Sequence, residues 1–345
     1  MSLDRALAAL APIVTDVRTK LGVPPQARLE DLVRTHALEA PGDVEPDPEH
    51  MTPAALARLY ELRARHLDWT YETGYLGFFA RNRGTRYCFT RRIEEKLALV
   101  EPRPGDACLE VGCGAGILAV LLAPHFRSVI AADVSRTALR FAALLAARAG
   151  ATNLRVAEAD AARLPFPDGA FATVICGEVI GQVADPEGVA RELARVTAPG
   201  GTLLLSTPCA LSLTQGALRL AAVVRPGISL HREWTIDRRV AEKLREAGES
   251  VSGSALLRVK RRLRYREVVG MMSAAGMRLT AAHGATLDLP PPVLVYPWIP
   301  ERGLGWLRAL ERALNRMRIL PRVLALTTVF RFEKVAEVKG ARDRP

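Results

Sequence analysis

A doubly wound α/β fold, a mostly parallel sheet with helices on both faces, is predicted by three features of this 345-residue sequence. From Asp106 onward, short and continuously apolar runs alternate with amphipathic helical stretches. The first of those runs ends in a glycine-rich turn, LEVGCGAG at 109–116, and the second ends in an acid, Asp133. Strands without a polar face are those buried on both sides, which is how parallel strands lie between two helical layers.

In chain order, apolar residues at helical spacing (Leu3, Leu7, Leu10, Val14, Val17, Leu21) predict an amphipathic helix ended by Pro24 and Pro25. A second helical stretch lies near 29–37, and the proline- and acid-rich segment 39–53 reads as a linker. Thr52 is placed to cap a third helix, with Pro53 at its first position. Residues 69–92 interleave aromatic side chains with arginines, which suits a cover over a flat or cationic ligand; plain helix packing is the alternative. Tyr71, Tyr75 and Arg86 are the candidates there. Residues 93–100 make a helix leading into the core. Strands are expected at 108–111, 129–132, 154–157, 172–176 and 202–206, with helices at 117–122, 136–149 and 186–196. A helix and sixth strand follow over 264–279, and a last strand over 324–332. The resulting division is a helical N-terminal extension (1–92), an α/β domain (93–335) with insertions at 209–263 and 287–322, and a disordered tail (336–345). In the second insertion, Trp306, Leu307, Leu310, Leu314 and Met317 are expected to line one helix face, as core packing, a substrate lid or a membrane-facing surface.

The turn at 109–116 carries the first functional signal. Gly112, Gly114 and Gly116 let the backbone bend sharply and approach a ligand, since no Cβ stands in the way. Amides at the start of the next helix face that ligand. A carboxylate at Asp133 is placed to accept both hydroxyls of a ribose. Strand, glycine turn, helix, strand and acid make a nucleoside-binding half-domain. A dinucleotide fingerprint reads GxGxxG, whereas this spacing is ExGxGxG with Glu110 at the strand's end.

That motif resembles motif I of the class I S-adenosylmethionine-dependent methyltransferases, of the small-molecule, UbiE/UbiG-like type. Further stretches match the family in order: Asp160 after the third strand, CGEVIGQV at the fourth, RELARVTAPGGTLLLSTP through the fifth, and RYREVVGMMSAAGMRL through the sixth. The resemblance implies a seven-stranded Rossmann-like methyltransferase fold, S-adenosyl-L-methionine as cofactor, and no metal. It also implies a cofactor-binding set. Glu110 and the backbone at Gly112, Cys113, Gly114 and Gly116 would hold the methionine end. Asp133 would take the ribose, Val134 the adenine face, Asp160 the adenine amine and Ala161 the ring through its amide. Glu178, Tyr75 and Arg86 complete the set. Two departures stand out: Phe171-Ala172 replaces the Phe-Asp of many relatives, and Gln182 replaces the histidine of Glu-His-Val that many small-molecule relatives carry, which where it is functional takes part in proton transfer or metal binding. An amide does neither at neutral pH, which argues against His-assisted phenol O-methylation.

Composition bounds the rest. Hydrophobic content of 49% with 25% charged residues is that of a globular protein long enough to bury a full core. A net charge of +11 points to an anionic substrate, a membrane surface or nucleic acid, or simply to a basic solvated surface. Five cysteines without a CxxC pair fit a reducing compartment, and no apolar run approaches the ~20 residues of a membrane span. The location expected is cytoplasmic, with peripheral membrane contact as the variant. For a base, His231 and His283 have the right intrinsic pKa. The expected activity is methyl transfer to an O, C or N atom of a small apolar or anionic metabolite of lipid, isoprenoid or polyketide type. RNA methylation, a membrane-associated lipid or quinone enzyme and a non-catalytic cofactor-binding protein are the alternatives. An Asn/Asp-Pro-Pro-aromatic turn, the mark of enzymes acting on exocyclic base amines, is replaced here by Gly177-Glu178-Val179-Ile180.

Overall fold

The computed structural model describes residues 83–210, 263–288 and 299–335. The helices expected before residue 83, Tyr71, Tyr75, His231, nearly all of the first insertion and the tail 336–345 lie outside the described residues. Seven strands form one sheet in the order β3-β2-β1-β4-β5-β7-β6. They are β1 (Ala107–Val111), β2 (Ser128–Asp133), β3 (Leu154–Glu158), β4 (Phe171–Gly177), β5 (Thr197–Pro208), β6 (Met277–Leu287) and β7 (Ala325–Lys334). Strands β1 to β5 run parallel, and β7 lies antiparallel between β5 and β6.

Helices α1 (Arg83–Leu99), α2 (Ile117–Leu122) and α3 (Arg136–Arg148) cover one face. Their Phe89, Ile93, Leu118, Leu122, Phe141 and Leu145 pack with Cys108, Val129, Ile175 and Leu204 of the strands. Helices α4 (Pro186–Val196) and α5 (Tyr265–Ala274) cover the other, with Val189, Leu193, Val268 and Met272 packed with Leu109, Val174, Leu203 and Phe330. Alternate residues of each strand enter opposite cores, so both sets must be apolar. Helix starts are fixed locally: Ser135 Oγ accepts the Ala138 amide at 3.2 Å, and Asp185 accepts the Gly188 amide at 2.8 Å with Pro186 at the first position. All five cysteines are free, and burial pushes the Cys88 and Cys176 thiols up to about 12, so they act as packing groups. No helix among the described residues is long and apolar enough to cross a membrane.

Two boundaries differ from the sequence reading. Helix α1 begins ahead of residue 93, because the buried positions of its first turns include polar Thr90 and Arg91, which blur the apolar period. Strand β5 begins at Thr197 rather than 202: Phe171 pairs with Thr197 and Thr173 with Thr202, so 198–201 bulge out.

Helix α6 (Glu301–Arg316) corrects a third expectation. Leu307 is buried, but Trp306 is 79% exposed and Leu310 and Met317 are also turned outward. The expected face is split: Leu307 and, partly buried, Leu314 turn inward with Leu304, Glu311 and Asn315. The reason is the free edge of β6. Asn315 accepts the Gly284 amide at 2.7 Å and donates to the Gly284 carbonyl at 3.1 Å, while Glu311 Oε1 accepts the Leu287 amide at 2.7 Å. Polar side chains thus complete a ladder that, among the described residues, no eighth strand continues. The other Glu311 oxygen accepts from Arg91 Nε at 2.7 Å and the Tyr87 hydroxyl at 3.0 Å, which ties α6 to α1.

Candidate active site

The strand order turns between β1 and β4: the chain runs outward from β1 to β3, then returns to β4 on β1's other side. In a doubly wound sheet, ligands sit outside the carboxyl ends of the strands at that point. The glycine turn occupies it. Gly112, Gly114 and Gly116 all have left-handed backbones, at φ 72°, 51° and 74°. The Gly112 and Cys113 amides donate to the Ala132 carbonyl at 2.8 and 3.0 Å, folding the turn back over β2. A Cβ on Gly112 would stand 2.1 Å from Val179 Cγ2, and one on Gly116 2.8 Å from Ala142 Cβ. At Gly114 no atom of the described residues lies within 4 Å of that position, so among them the turn has an open side.

Asp133 and Glu110 adjoin this turn, and Asp160 lies past the next strand. Asp133, at the end of β2, accepts the Gly114 amide with one oxygen and the Ser135 amide with the other, both at 2.9 Å. Val134, half-buried, follows it. Asp160, just past neighbouring β3, accepts the Ala162 amide at 2.9 Å, and Ala161 beside it is buried. Glu110, the penultimate residue of β1, is 6% exposed. The Ala119 amide donates to its carboxyl, and Oε2 has no hydrogen-bond partner. Burial pushes this carboxyl up to about 8, against the pull of nearby Lys96.

Glu178, immediately after β4, holds a left-handed backbone at φ 64°, which is costly for a residue with a side chain. Its amide donates to the Ser206 carbonyl at 2.9 Å, its carboxylate accepts from Ser206 Oγ at 2.8 Å, and its carbonyl accepts from Gln182 Nε2. Gln182 therefore braces the strained turn.

Helix α1 brings two cations that the sequence reading passed over. Arg92 Nη1 lies 3.7 Å from Glu178 Oε2. Lys96, one turn on and buried, sets its Nζ 2.5 Å from where a Cβ on Gly177 would stand. Burial pulls its ammonium below the ordinary lysine range, while Glu178 and Glu110 oppose that. Their spacing of four residues was the available signal, since it puts both on one helix face. Arg86 lies in the same helix.

His283 goes elsewhere. Its Nδ1 is 2.7 Å from Glu95 Oε2, within the Arg91, Glu95 and Glu311 cluster between α1, β6 and α6. Burial alone would raise the Glu95 carboxyl, but the His283 hydrogen bond and the Arg91 charge hold it below its ordinary value. Strands β5 and β7 stand between β6 and β4, roughly 14 Å at ordinary strand spacing, so a base at His283 is far from the glycine turn.

A methyltransferase-domain family profile matches residues 109–205, from β1 into β5. The ubiquinone biosynthesis O-methyltransferase of Ralstonia nicotianae is 40% identical over 109 residues, 31% of this chain and 44% of that protein. The protein of the same name from Xanthomonas axonopodis pv. citri is 32% identical over 171 residues, 47% of this chain and 71% of that protein. This chain belongs to the class I S-adenosylmethionine-dependent methyltransferases. S-adenosylmethionine is the family's cofactor. Among solved structures, YcgJ from Bacillus subtilis shares 18% identity at a TM-score of 0.46, covering 71% of this chain and 98% of its own. The match to the Ralstonia methyltransferase spans less than half of that relative's length.

Proposed function

We propose that this methyltransferase moves a methyl group from S-adenosylmethionine to an oxygen, carbon or nitrogen of a small apolar or anionic metabolite, of lipid, isoprenoid or polyketide type. The observation carrying this reading is the glycine turn at the β1/β4 switch point, open at Gly114 and flanked by Glu110, Asp133 and Asp160. These residues fit the cofactor. A buried carboxyl oxygen without a partner at Glu110 suits its ammonium, Asp133 suits a ribose diol, and Asp160 with the Ala161 amide suits an adenine edge. Cys113, Gly116, Val134 and Glu178 frame the same crevice; Tyr75 and Arg86 are proposed for its cover. The cofactor supplies an electrophilic methyl on a sulfonium, so the protein mainly has to align the donor and acceptor. Arg92 and Lys96 would form the wall towards Glu178 and give an anionic acceptor a counter-charge. The relatives named ubiquinone biosynthesis O-methyltransferases support an oxygen acceptor on a lipophilic small molecule. Gln182 offers no base here, because its amide is engaged with the Glu178 carbonyl. Turnover of the donor against a panel of lipid, polyketide, quinone and phenolic acceptors tests the reading; failure with every class would remove it.

Two predictions arise from these assignments. Asp133→Ala should weaken S-adenosylmethionine binding by about 1–3 kcal/mol, the scale of lost charge-assisted hydrogen bonds, with Asp133→Asn in between. Calorimetry checks this, and unchanged affinity takes Asp133 out of the site. The second concerns pH. A carboxyl held up to about 8 keeps its proton at neutral pH, so the contribution of Glu110 favours the folded state below the ordinary carboxylate pKa and fades as pH rises through about 8. A cation seated beside Glu110 draws it into the ionised form. Cofactor binding should therefore release a proton near neutral pH and tighten as pH approaches about 8. Calorimetry in buffers of different ionisation enthalpy reads the proton directly, and Glu110→Gln should abolish it.

A further inference from the structure

The outward face of α6 has no function in the reading above. Trp306 is 79% exposed, Met317 65% and Leu310 47%. At 100° per residue, these three and exposed Ala313 fall within an arc of about 60°. Arg302, Arg312 and Arg316 are also exposed and occupy the adjoining arc, with exposed Arg318 following the helix. Beyond Glu301 at its first position, the helix has one acid, Glu311, and that is fully buried against Arg91. A large aromatic and two long apolar side chains held in water beside a row of arginines are unlike an ordinary solvated helix face, which carries mixed charge.

The placement of this face is enforced by the inner one. Asn315 and Glu311 pair with the backbone of Gly284 and Leu287, so α6 cannot roll to bury Trp306 without exposing the edge of β6. Leu287 ends β6, which runs in the same direction as β1 and β4. The Leu287 end of β6, where α6 is attached, therefore points the same way as the carboxyl ends of β1 and β4, although β6 is the edge strand and β7 and β5 separate it from β4.

We propose that the outer face of α6 docks on an anionic lipid surface, with Trp306, Leu310 and Met317 entering the headgroup boundary and Arg302, Arg312 and Arg316 meeting the headgroup charges. Charge complementarity selects this occupant: the exposed row is cationic throughout, and the chain carries a net +11. A second copy of the chain would have to set the same arginines near their own symmetry mates. The inference is independent of the acceptor's identity, since binding to vesicles needs neither donor nor turnover.

The test uses the full chain with phosphatidylglycerol-containing vesicles and with pure phosphatidylcholine vesicles. Co-sedimentation should favour the anionic vesicles and fall with added salt. The triple variant Trp306→Gln, Leu310→Gln, Met317→Gln should bind at least about tenfold more weakly, as should Arg302→Gln, Arg312→Gln, Arg316→Gln, with unchanged thermal unfolding because the substituted side chains are exposed. A blue shift in tryptophan fluorescence on vesicle addition should vanish in Trp306→Phe. Equal binding by the apolar triple variant and the parent, or equal partition to both vesicle types, overturns the proposal. So does a parent dimer that the triple variant turns into a monomer, which would make the face a self-interface.

Discussion

Glu311→Ala should cost this protein about 3–5 kcal/mol of stability, the scale for removing one partner of a buried ion pair. Glu311 has no exposed surface and accepts from Arg91, the Tyr87 hydroxyl and the Leu287 amide at once. Alanine leaves the Arg91 guanidinium, 5% exposed, short of its partner on α6, and takes away the Glu311 oxygen that accepts the Leu287 amide. Glu94 and Glu95 still face Arg91, which keeps the loss from being larger. Urea unfolding gives the number, provided the slope with denaturant is unchanged. Arg308→Ala is the control: that side chain is 34% exposed, reaches Glu94 at 3.4 Å and lies over the Tyr87 ring, so its loss should be within about 1 kcal/mol. Equal losses for the two variants would mean that the cluster does not hold α6 in place.

Gly112→Ala should be nearly as damaging and should also abolish cofactor binding. Two costs combine. An L-residue at φ 72° carries about 1–2 kcal/mol of backbone strain. Its Cβ would also stand 2.1 Å from Val179 Cγ2, an overlap of the kind that costs about 1–3 kcal/mol when a packed neighbour must move. Val179 adjoins Glu178, whose own backbone is left-handed, so the shift is passed to both sides of the crevice. Val179→Ala in the same chain removes the overlap and keeps the strain. The double variant should regain the packing part of the stability but only part of the affinity, because the turn's amides remain displaced. Unfolding curves and calorimetry on the four proteins of that cycle separate the terms, and no recovery at all would exclude the overlap with Val179 as a cause.

The strand and helix pattern from β1 to β5 was legible because its signals are local. Leu109 and Val111 face one core and Cys108 the other, so a run apolar at every position reads as a strand buried twice over. Gly112 and Gly116 were legible as a sharp turn because left-handed backbones leave a mark in composition, and Asp133 as the acid that ends β2 beside it. Arg92 and Lys96 were not, since nothing around them says that α1 crosses towards Gly177 and Glu178. His283 misled for the same reason: its intrinsic pKa suits a base, but its partner Glu95 is 188 residues away in sequence.

By itself, then, the chain's residue order determined the layered sheet, the glycine turn after β1 and the acid that ends β2, because periodicity, glycine conformation and strand ends are properties of neighbours along the backbone. Tertiary structure alone decided which side of α6 is buried. The open edge of β6 needed hydrogen-bond partners, and Glu311 and Asn315 could supply them where the apolar stripe of Trp306, Leu310 and Met317 could not. An unsatisfied strand edge costs more than a few exposed apolar side chains, and that inequality set the helix's rotation.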